Sequence, residues 1–214
     1  MIHLLGISGS PVGDGNTDAL LKEAIQIAAA DPEVHSTSFF LSQLQINGCR
    51  HCNWCIKQQT PGNFCRISDG MDGIYPALLQ ADLVLLATPV HIGRISGLLA
   101  NMLDRLRPFV YGNLYRGKLK DKVGVSIVLA FLRHGGLETT LQILNNTFAL
   151  FQMISIGRGG LVLSSVAGQG KVTKGIRYMA LQDEYGLFSV KDAVRRGLEL
   201  TKIIQAGKKF LGLP

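Results

Sequence analysis

Short apolar runs alternate with helical patterns along the whole chain, and this alternation restricts the fold more than any other feature. IHLLGI (Ile2 to Ile7), HSTSFF (His35 to Phe40), DLVLLATP (Asp82 to Pro89), VGVSIVLAF (Val123 to Phe131) and ISIGRGGLVL (Ile154 to Leu163) read as five strands. Between them, Leu21, Ala24, Ile25 and Ala28 share one helical face, as do Leu99, Met102, Leu103 and Leu106. A third face carries Leu137, Leu141, Leu144, Phe148 and Phe151. A last helix opens at Ser189 and Asp192, a pair resembling a capping box, and turns Val190, Val194, Leu198 and Thr201 inward. Strands that are almost continuously apolar cannot present a face to water. They call for a parallel sheet covered by helices on both sides. The expectation is an α/β fold with a doubly wound five-stranded parallel sheet in the order 2-1-3-4-5. In such sheets ligands bind beyond the carboxyl ends of the strands where the winding reverses, here the loops after strands one and three.

Composition agrees with one domain spanning residues 1–214, interrupted by a cysteine-rich loop at 48–66 between strands two and three. Of 214 residues, 47% are hydrophobic and 17% charged, a globular balance and not a disordered one. The formal charge is +7. Its carriers, Arg105, Arg107, Arg116, Lys118, Lys120 and Lys122 in one region and Arg195, Arg196, Lys202, Lys208 and Lys209 in another, read as a solvated basic surface. The sharper alternative is attraction of phosphorylated cofactors or an acidic protein. No aromatic interleaving suggests nucleic acid. MIHLLGISGS lacks the basic segment of a signal peptide, and the uncharged stretch Thr139 to Gly157 is broken by Gln142, Asn145, Asn146 and Gln152, so a buried helix and a strand are expected there and not a membrane span. The chain is expected to be cytoplasmic, with no membrane partner. Ser164 to Gly175, rich in Gly and Lys, reads as a mobile loop.

After the first strand comes SGSPVGDGNT, Ser8 to Thr17, running into a helix. A helix N-terminus offers unpaired N–H groups and partial positive charge, which favour a phosphate. Gly9, Gly13 and Gly15 allow close backbone approach, and Ser8, Ser10, Asn16 and Thr17 add hydrogen-bond donors. There is no G-x-x-x-x-G-K-[ST] and no G-x-G-x-x-G, which excludes the usual triphosphate and dinucleotide cradles. Neutral donors suit a terminal monophosphate that is held and not cleaved; a plain Gly/Ser turn capping the helix is the alternative. Strand three ends in ATPVHIGRISGLLANMLDRL, Ala87 to Leu106. Its proline and small residues leave backbone groups beside an apolar shelf, Pro89 to Ile92, that suits a planar ring with polar edges.

Together, GISGSP with GNT, then ATPVHIGRISG and LDR, resemble the flavodoxin-like NAD(P)H-dependent FMN reductases. RHGGLETT, Arg133 to Thr140, and the compact cysteines before Asp69–Met71 are similar to the iron–sulfur flavoprotein branch of that family. The resemblance covers roughly residues 1–160. It implies an FMN-dependent oxidoreductase with the phosphate on Ser8, Ser10, Gly15, Asn16 and Thr17. It implies the isoalloxazine ring against Pro89, Val90, His91, Ile92 and Gly93, bordered by His134, Gly135 and Gly136. It further implies NAD(P)H as an electron donor, a small-molecule or protein redox partner such as a ferredoxin-like donor, and a homodimer or homotetramer. No side chain is assigned as catalytic acid or base.

All four cysteines lie in GCRHCNWCIKQQTPGNFC, with Cys49, Cys52 and Cys55 at C-x2-C-x2-C and Cys65 further on. That triplet with one remote ligand is the pattern of a [4Fe–4S] site. Zinc, with His51 inside the triplet, and a redox disulfide from one C-x-x-C remain open. The gap before Cys65 exceeds the family's usual one; Thr60, Pro61 and Gly62 form a turn able to fold the insert outward. Three functions are therefore in play: an iron–sulfur flavoprotein moving electrons between a cluster and FMN, an NAD(P)H-dependent FMN or quinone reductase without a cluster, and a zinc- or thiol-based regulator on the same scaffold.

Overall fold

A computed structural model of the protein describes residues 1–213. In chain order the elements are β1 (Ile2–Ser8), α1 (Asn16–Ala29), β2 (Val34–Phe40), α2 (Trp54–Lys57), α3 (Met71–Gln80), β3 (Leu83–Pro89), α4 (Gly97–Asp104), α5 (Arg107–Tyr111), β4 (Val123–Ala130), α6 (Leu137–Leu150), β5 (Ile154–Ser155), β6 (Gly160–Leu163) and α7 (Glu184–Leu211). All strand pairings are parallel, in the order β2-β1-β3-β4-β5, with β6 also on β4. This is the expected winding, with its reversal between β1 and β3.

Each central strand feeds two cores, which explains its unbroken apolar character. Leu83, Leu85 and Ala87 of β3 pack with Leu20, Leu21 and Ala24 of α1 and Val190, Val194 and Leu198 of α7. Val84 and Leu86, pointing the other way, pack with Ile74 and Leu78 of α3, Leu99 and Met102 of α4 and Leu144 and Phe148 of α6.

Three expectations need correction. The run Ile154 to Leu163 is not one strand. β5 pairs with Val123 and Gly124, β6 with Ile127 to Ala130, and the backbone between them leaves the ladder. Gly157 (φ 77°) and Gly159 (φ 49°) supply the left-handed conformations of this break, and Asn145 Nδ2 captures the Gly157 carbonyl at 2.7 Å. The last helix starts at Glu184, not Ser189. Asp183 caps it by accepting from Gly186 N at 3.0 Å and is itself fixed by Leu163 N of β6 at 2.8 Å. Ser189 lies inside α7, donating to the Gly186 carbonyl and accepting from Leu161 N. Finally, α6 is amphipathic and not wholly buried: Leu144 and Phe148 face the core while Glu138, Thr139, Gln142 and Asn146 are exposed.

Candidate functional site

The ends of β1, β3 and β4 bring the three predicted loops to one edge of the sheet. In the first, Gly9 N donates to the Ala87 carbonyl (2.8 Å) and Ser96 Oγ donates to the Gly9 carbonyl (2.5 Å). A Cβ on Gly9 would lie 2.6 Å from Leu99 Cβ, so only glycine lets the turn sit against α4. Ser8, Ser10 and Thr17 are almost wholly buried, while Gly15 and Asn16 are half-buried at the start of α1.

The donors of this turn are partly committed within the protein. Asp18, 1% exposed in the first turn of α1, accepts from Ser8 Oγ (2.5 Å) and from Asp14 N (2.8 Å). Ser10 Oγ donates to the Val12 carbonyl and accepts from Val12 N, an internal turn that shapes the loop. Asn16 Oδ1 accepts from Ala180 N (2.9 Å). Sequence reasoning missed Asp18; its signal was an acidic residue in the first turn of the helix that follows Gly15.

In the second loop, Pro89 closes β3 and Val90 N donates to the Leu129 carbonyl (2.7 Å). His91 and Arg94 exchange backbone hydrogen bonds across a two-residue turn in which Ile92 (φ 49°) and Gly93 (φ 71°) are both left-handed. His91 is exposed and Ile92 is 98% exposed, an isoleucine in a conformation that crowds its branched Cβ. The third loop abuts the second: a Cβ on Gly136 (φ 98°) would fall 2.8 Å from Gly93 Cα. Gly135 N closes a turn on the Leu132 carbonyl, and His134 projects into solvent. The residues predicted for a ring thus occupy adjoining loops.

The segment 164–183, whose first part, Ser164 to Gly175, reads in the sequence as a mobile loop, is the fourth side of this edge. Its 3-10 turns, Val166–Gly168 and Met179–Gln182, are tied at both ends of the site. Ser165 Oγ donates to the Phe131 carbonyl, and Arg133 N to the Gly168 carbonyl at 2.9 Å. At the other end Arg177 and Tyr178 both hold the Asp14 carboxylate, which Lys22 also pairs. Hydrogen bonds from Lys22 and then Tyr178 keep Asp14 below the usual carboxylate range.

The cysteine loop lies further along the same side, against α4 and α5. Cys49, Cys52, Cys55 and Cys65 all line one small cavity with Arg105 and Arg107. All four are free thiols: Cys52 exposed, Cys49 and Cys65 half-buried, Cys55 buried. Among the described residues, no three His, Cys, Asp or Glu side chains are grouped so as to hold a metal ion. His51 (φ 52°) and Asn53 (φ 60°) give the C-x2-C-x2-C stretch its tight left-handed bends. Burial raises the Cys55 thiol above its ordinary range, and Arg107 opposes that effect. Cys65 is returned to the cavity by the Thr60–Asn63 turn, with Gly62 at φ 82°. Phe64 anchors it, stacked on Tyr75 (4.9 Å between centroids) and Tyr115 (4.2 Å).

Arg105 is not part of the solvated surface that the charge run suggested, and Arg107 is half-buried against the cysteine loop. Arg105 follows Met102 by three residues, on the buried face of α4, and its side chain is 0% exposed. Its guanidinium donates to Asp69 Oδ2 (2.8 Å), to the Asn47 carbonyl (2.8 Å) and to the Ile67 carbonyl (3.0 Å), so it joins both stems of the cysteine loop. Arg107 reaches the tip, contacting His51 Nε2 and Asn53 Oδ1, each at 2.8 Å. A charge on an otherwise apolar helical face was the signal.

A parallel sheet of this order, with glycine- and hydroxyl-rich loops gathered where its winding reverses, defines a flavodoxin-like protein. The sequence profile of the NADPH-dependent FMN reductases matches residues 2–168, and the chain belongs to that family of FMN-dependent oxidoreductases. It is 31% identical to an iron–sulfur flavoprotein of Methanocaldococcus jannaschii over 95% of this chain and 100% of that protein. It is 28% identical to an iron–sulfur flavoprotein of Methanosarcina thermophila over 97% and 99% respectively. Among solved structures, RosB with bound 8-demethyl-8-formylriboflavin-5'-phosphate superposes with a TM-score of 0.75 at 13% identity, covering 96% of this chain and 81% of that one. The apo form of an NADH:FMN oxidoreductase superposes with a TM-score of 0.61 at 18% identity, covering 92% and 88%. At these identities the superpositions speak for the fold alone. Among the described residues no helix is long and apolar enough to cross a membrane.

Proposed function

We propose that the protein is an iron–sulfur flavoprotein that carries electrons between a [4Fe–4S] cluster on Cys49, Cys52, Cys55 and Cys65 and FMN at the sheet edge. The observation that carries this reading is the convergence of all four cysteines, from a C-x2-C-x2-C stretch and a remote turn, on one cavity walled by two arginines. The donor set fits: a tetrathiolate cluster is anionic, and the arginine charges lie against it. The names of the relatives support the same reading. When bound, the two groups supply complementary chemistry, one-electron steps at the cluster and one- or two-electron steps at the flavin.

The protein's own part is to bind and orient. Backbone N–H groups opening α1, with Ser10, Gly15, Asn16 and Thr17 around them, hold the phosphate; Ser8, through Asp18, fixes the turn's shape. Pro89 to Gly93 support the ring, and His134, Gly135 and Gly136 border it. A ferredoxin-like protein or NAD(P)H serves as donor, and the working unit is a homodimer or homotetramer.

One observation favours a second reading, a flavin reductase without a cluster: the lack, among the described residues, of any three candidate ligands grouped as a metal centre. Anaerobic purification followed by an absorption spectrum and assays of iron, acid-labile sulfide and flavin decides between them. About four iron and four sulfide per FMN supports the first reading; flavin with no sulfide supports the second. Replacing Cys52 by Ser should remove the cluster's absorbance and leave FMN bound.

A further inference from the structure

We infer that Arg105 and Arg107 are positioning residues of the thiolate site, clasping the cysteine loop and raising the reduction potential of the cluster it holds. The inference rests on the cluster reading above and adds what these two side chains do for it.

Three observations lead there. Arg105 has a hydrogen-bonding capacity that its protein partners do not exhaust. The two terminal nitrogens are satisfied by Asp69, Asn47 and Ile67, but Nε is buried with no partner among the described residues. A buried N–H without an acceptor is costly unless something absent from the bare chain completes it. Arg105 borders the cavity that Cys65 also lines, so a cluster or its ligand sulfur can supply that acceptor. The charge is also secure: a guanidinium keeps its proton even when buried, and Asp69 pairs it at 2.8 Å. Arg107, finally, puts a second cation at the other end of the same cavity, beside His51 and Asn53 of the C-x2-C-x2-C stretch.

The electrostatic consequence has a definite sign. One-electron reduction adds a negative charge to a cluster that already carries net negative charge with its four thiolates. Fixed positive charge and N–H donors at the sulfurs stabilise the reduced form more than the oxidised one, which raises the potential. Asp69 opposes this by neutralising part of Arg105. The pair therefore makes opposite predictions for its two members, whereas a merely structural brace would loosen the loop whichever member was removed.

The test is a redox titration of the reconstituted full-length protein, followed optically, on wild type and four variants. Arg105→Lys lacks the Nε donor and Arg107→Gln lacks the outer charge. Each should shift the cluster's reduced-to-oxidised ratio at fixed ambient potential at least threefold toward oxidised, and both together at least tenfold, or 59 mV for a one-electron couple. Asp69→Asn should shift it toward reduced. Arg107 is partly exposed, so its variant is expected to fold even where an Arg105 variant does not. Potentials unchanged in Arg107→Gln, or lowered in Asp69→Asn, overturn the proposal while leaving the cluster reading intact. A wild-type protein without acid-labile sulfide overturns both, so the two failures are distinguishable.

Discussion

Asp69 decides how the cysteine loop meets the rest of the chain. Its side chain is 4% exposed, yet it stays charged because four groups pay for the burial: Arg105 at 2.8 Å, the backbone N–H groups of Asn47 and Met71, and the Asn47 side-chain amide. Burial by itself would raise its pKa; hydrogen bonds, from Arg105 first, outweigh that and bring it to about 2 from an ordinary 3.8. The sign follows from linkage. A carboxyl with a depressed folded-state pKa contributes stability that is fully present above its unfolded value and lost as pH falls through the folded one. Between about pH 5 and pH 1, then, about 2–3 kcal/mol of stability should drain away through Asp69. Denaturant midpoints of wild type and Asp69→Asn across that range check it. The variant should be the less stable protein at pH 7, and the difference should shrink toward pH 2. A constant difference would mean that Asp69 acts by packing and not by charge.

At the scale of elements, the short helix α4 joins the two halves of the site. Its cap, Ser96, accepts from Leu99 N (3.1 Å) and donates to the Gly9 carbonyl, so one hydroxyl fixes both the helix start and the turn proposed for the phosphate. Ser96→Ala should cost about 1 kcal/mol of stability and raise the FMN dissociation constant roughly fivefold, a shift of about 1 kcal/mol. Iron content should not change; fluorescence titration of FMN into the flavin-free protein measures the first effect. Much of this arrangement was legible in the sequence. β1, β3 and β4 announce themselves because a strand buried on both faces must be continuously apolar, and the loops at their ends follow from the winding. What the sequence concealed has physical causes. Gly157 and Gly159 break an apolar run that hydrophobicity reads as continuous. The cap of α7 is an aspartate, Asp183, whose second partner is a distant strand residue, Leu163. The burial of Arg105 depends on Asn47, Ile67 and Asp69, all more than thirty residues away, so a local charge count places it in water.

Taken as a whole, the molecule sets its two proposed redox sites at opposite ends of one short, rigid element. Ser96 meets the first turn and Arg105, at the C-terminal end of α4, meets the cysteine loop; nine residues of helical rise separate them by about 14 Å. The outer end is also where charge accumulates. Arg50 and Arg66 are exposed and, with Arg107, line the cysteine cavity beside the exposed Cys52 as a basic rim. With a formal charge of +7 on the chain, that rim suits an acidic protein as the partner of the proposed cluster. Attraction between exposed charges is screened over about 8 Å at physiological ionic strength. Electron delivery from an acidic ferredoxin-like donor should therefore slow as salt is raised from 50 to 500 mM, by on the order of tenfold, and Arg66→Glu should slow it at low salt while leaving the rate with a small neutral reductant unchanged. Stopped-flow reduction at several ionic strengths measures both. A rate indifferent to salt and to the charge of residue 66 would place the partner elsewhere on the surface, nearer the flavin loops than the cysteines.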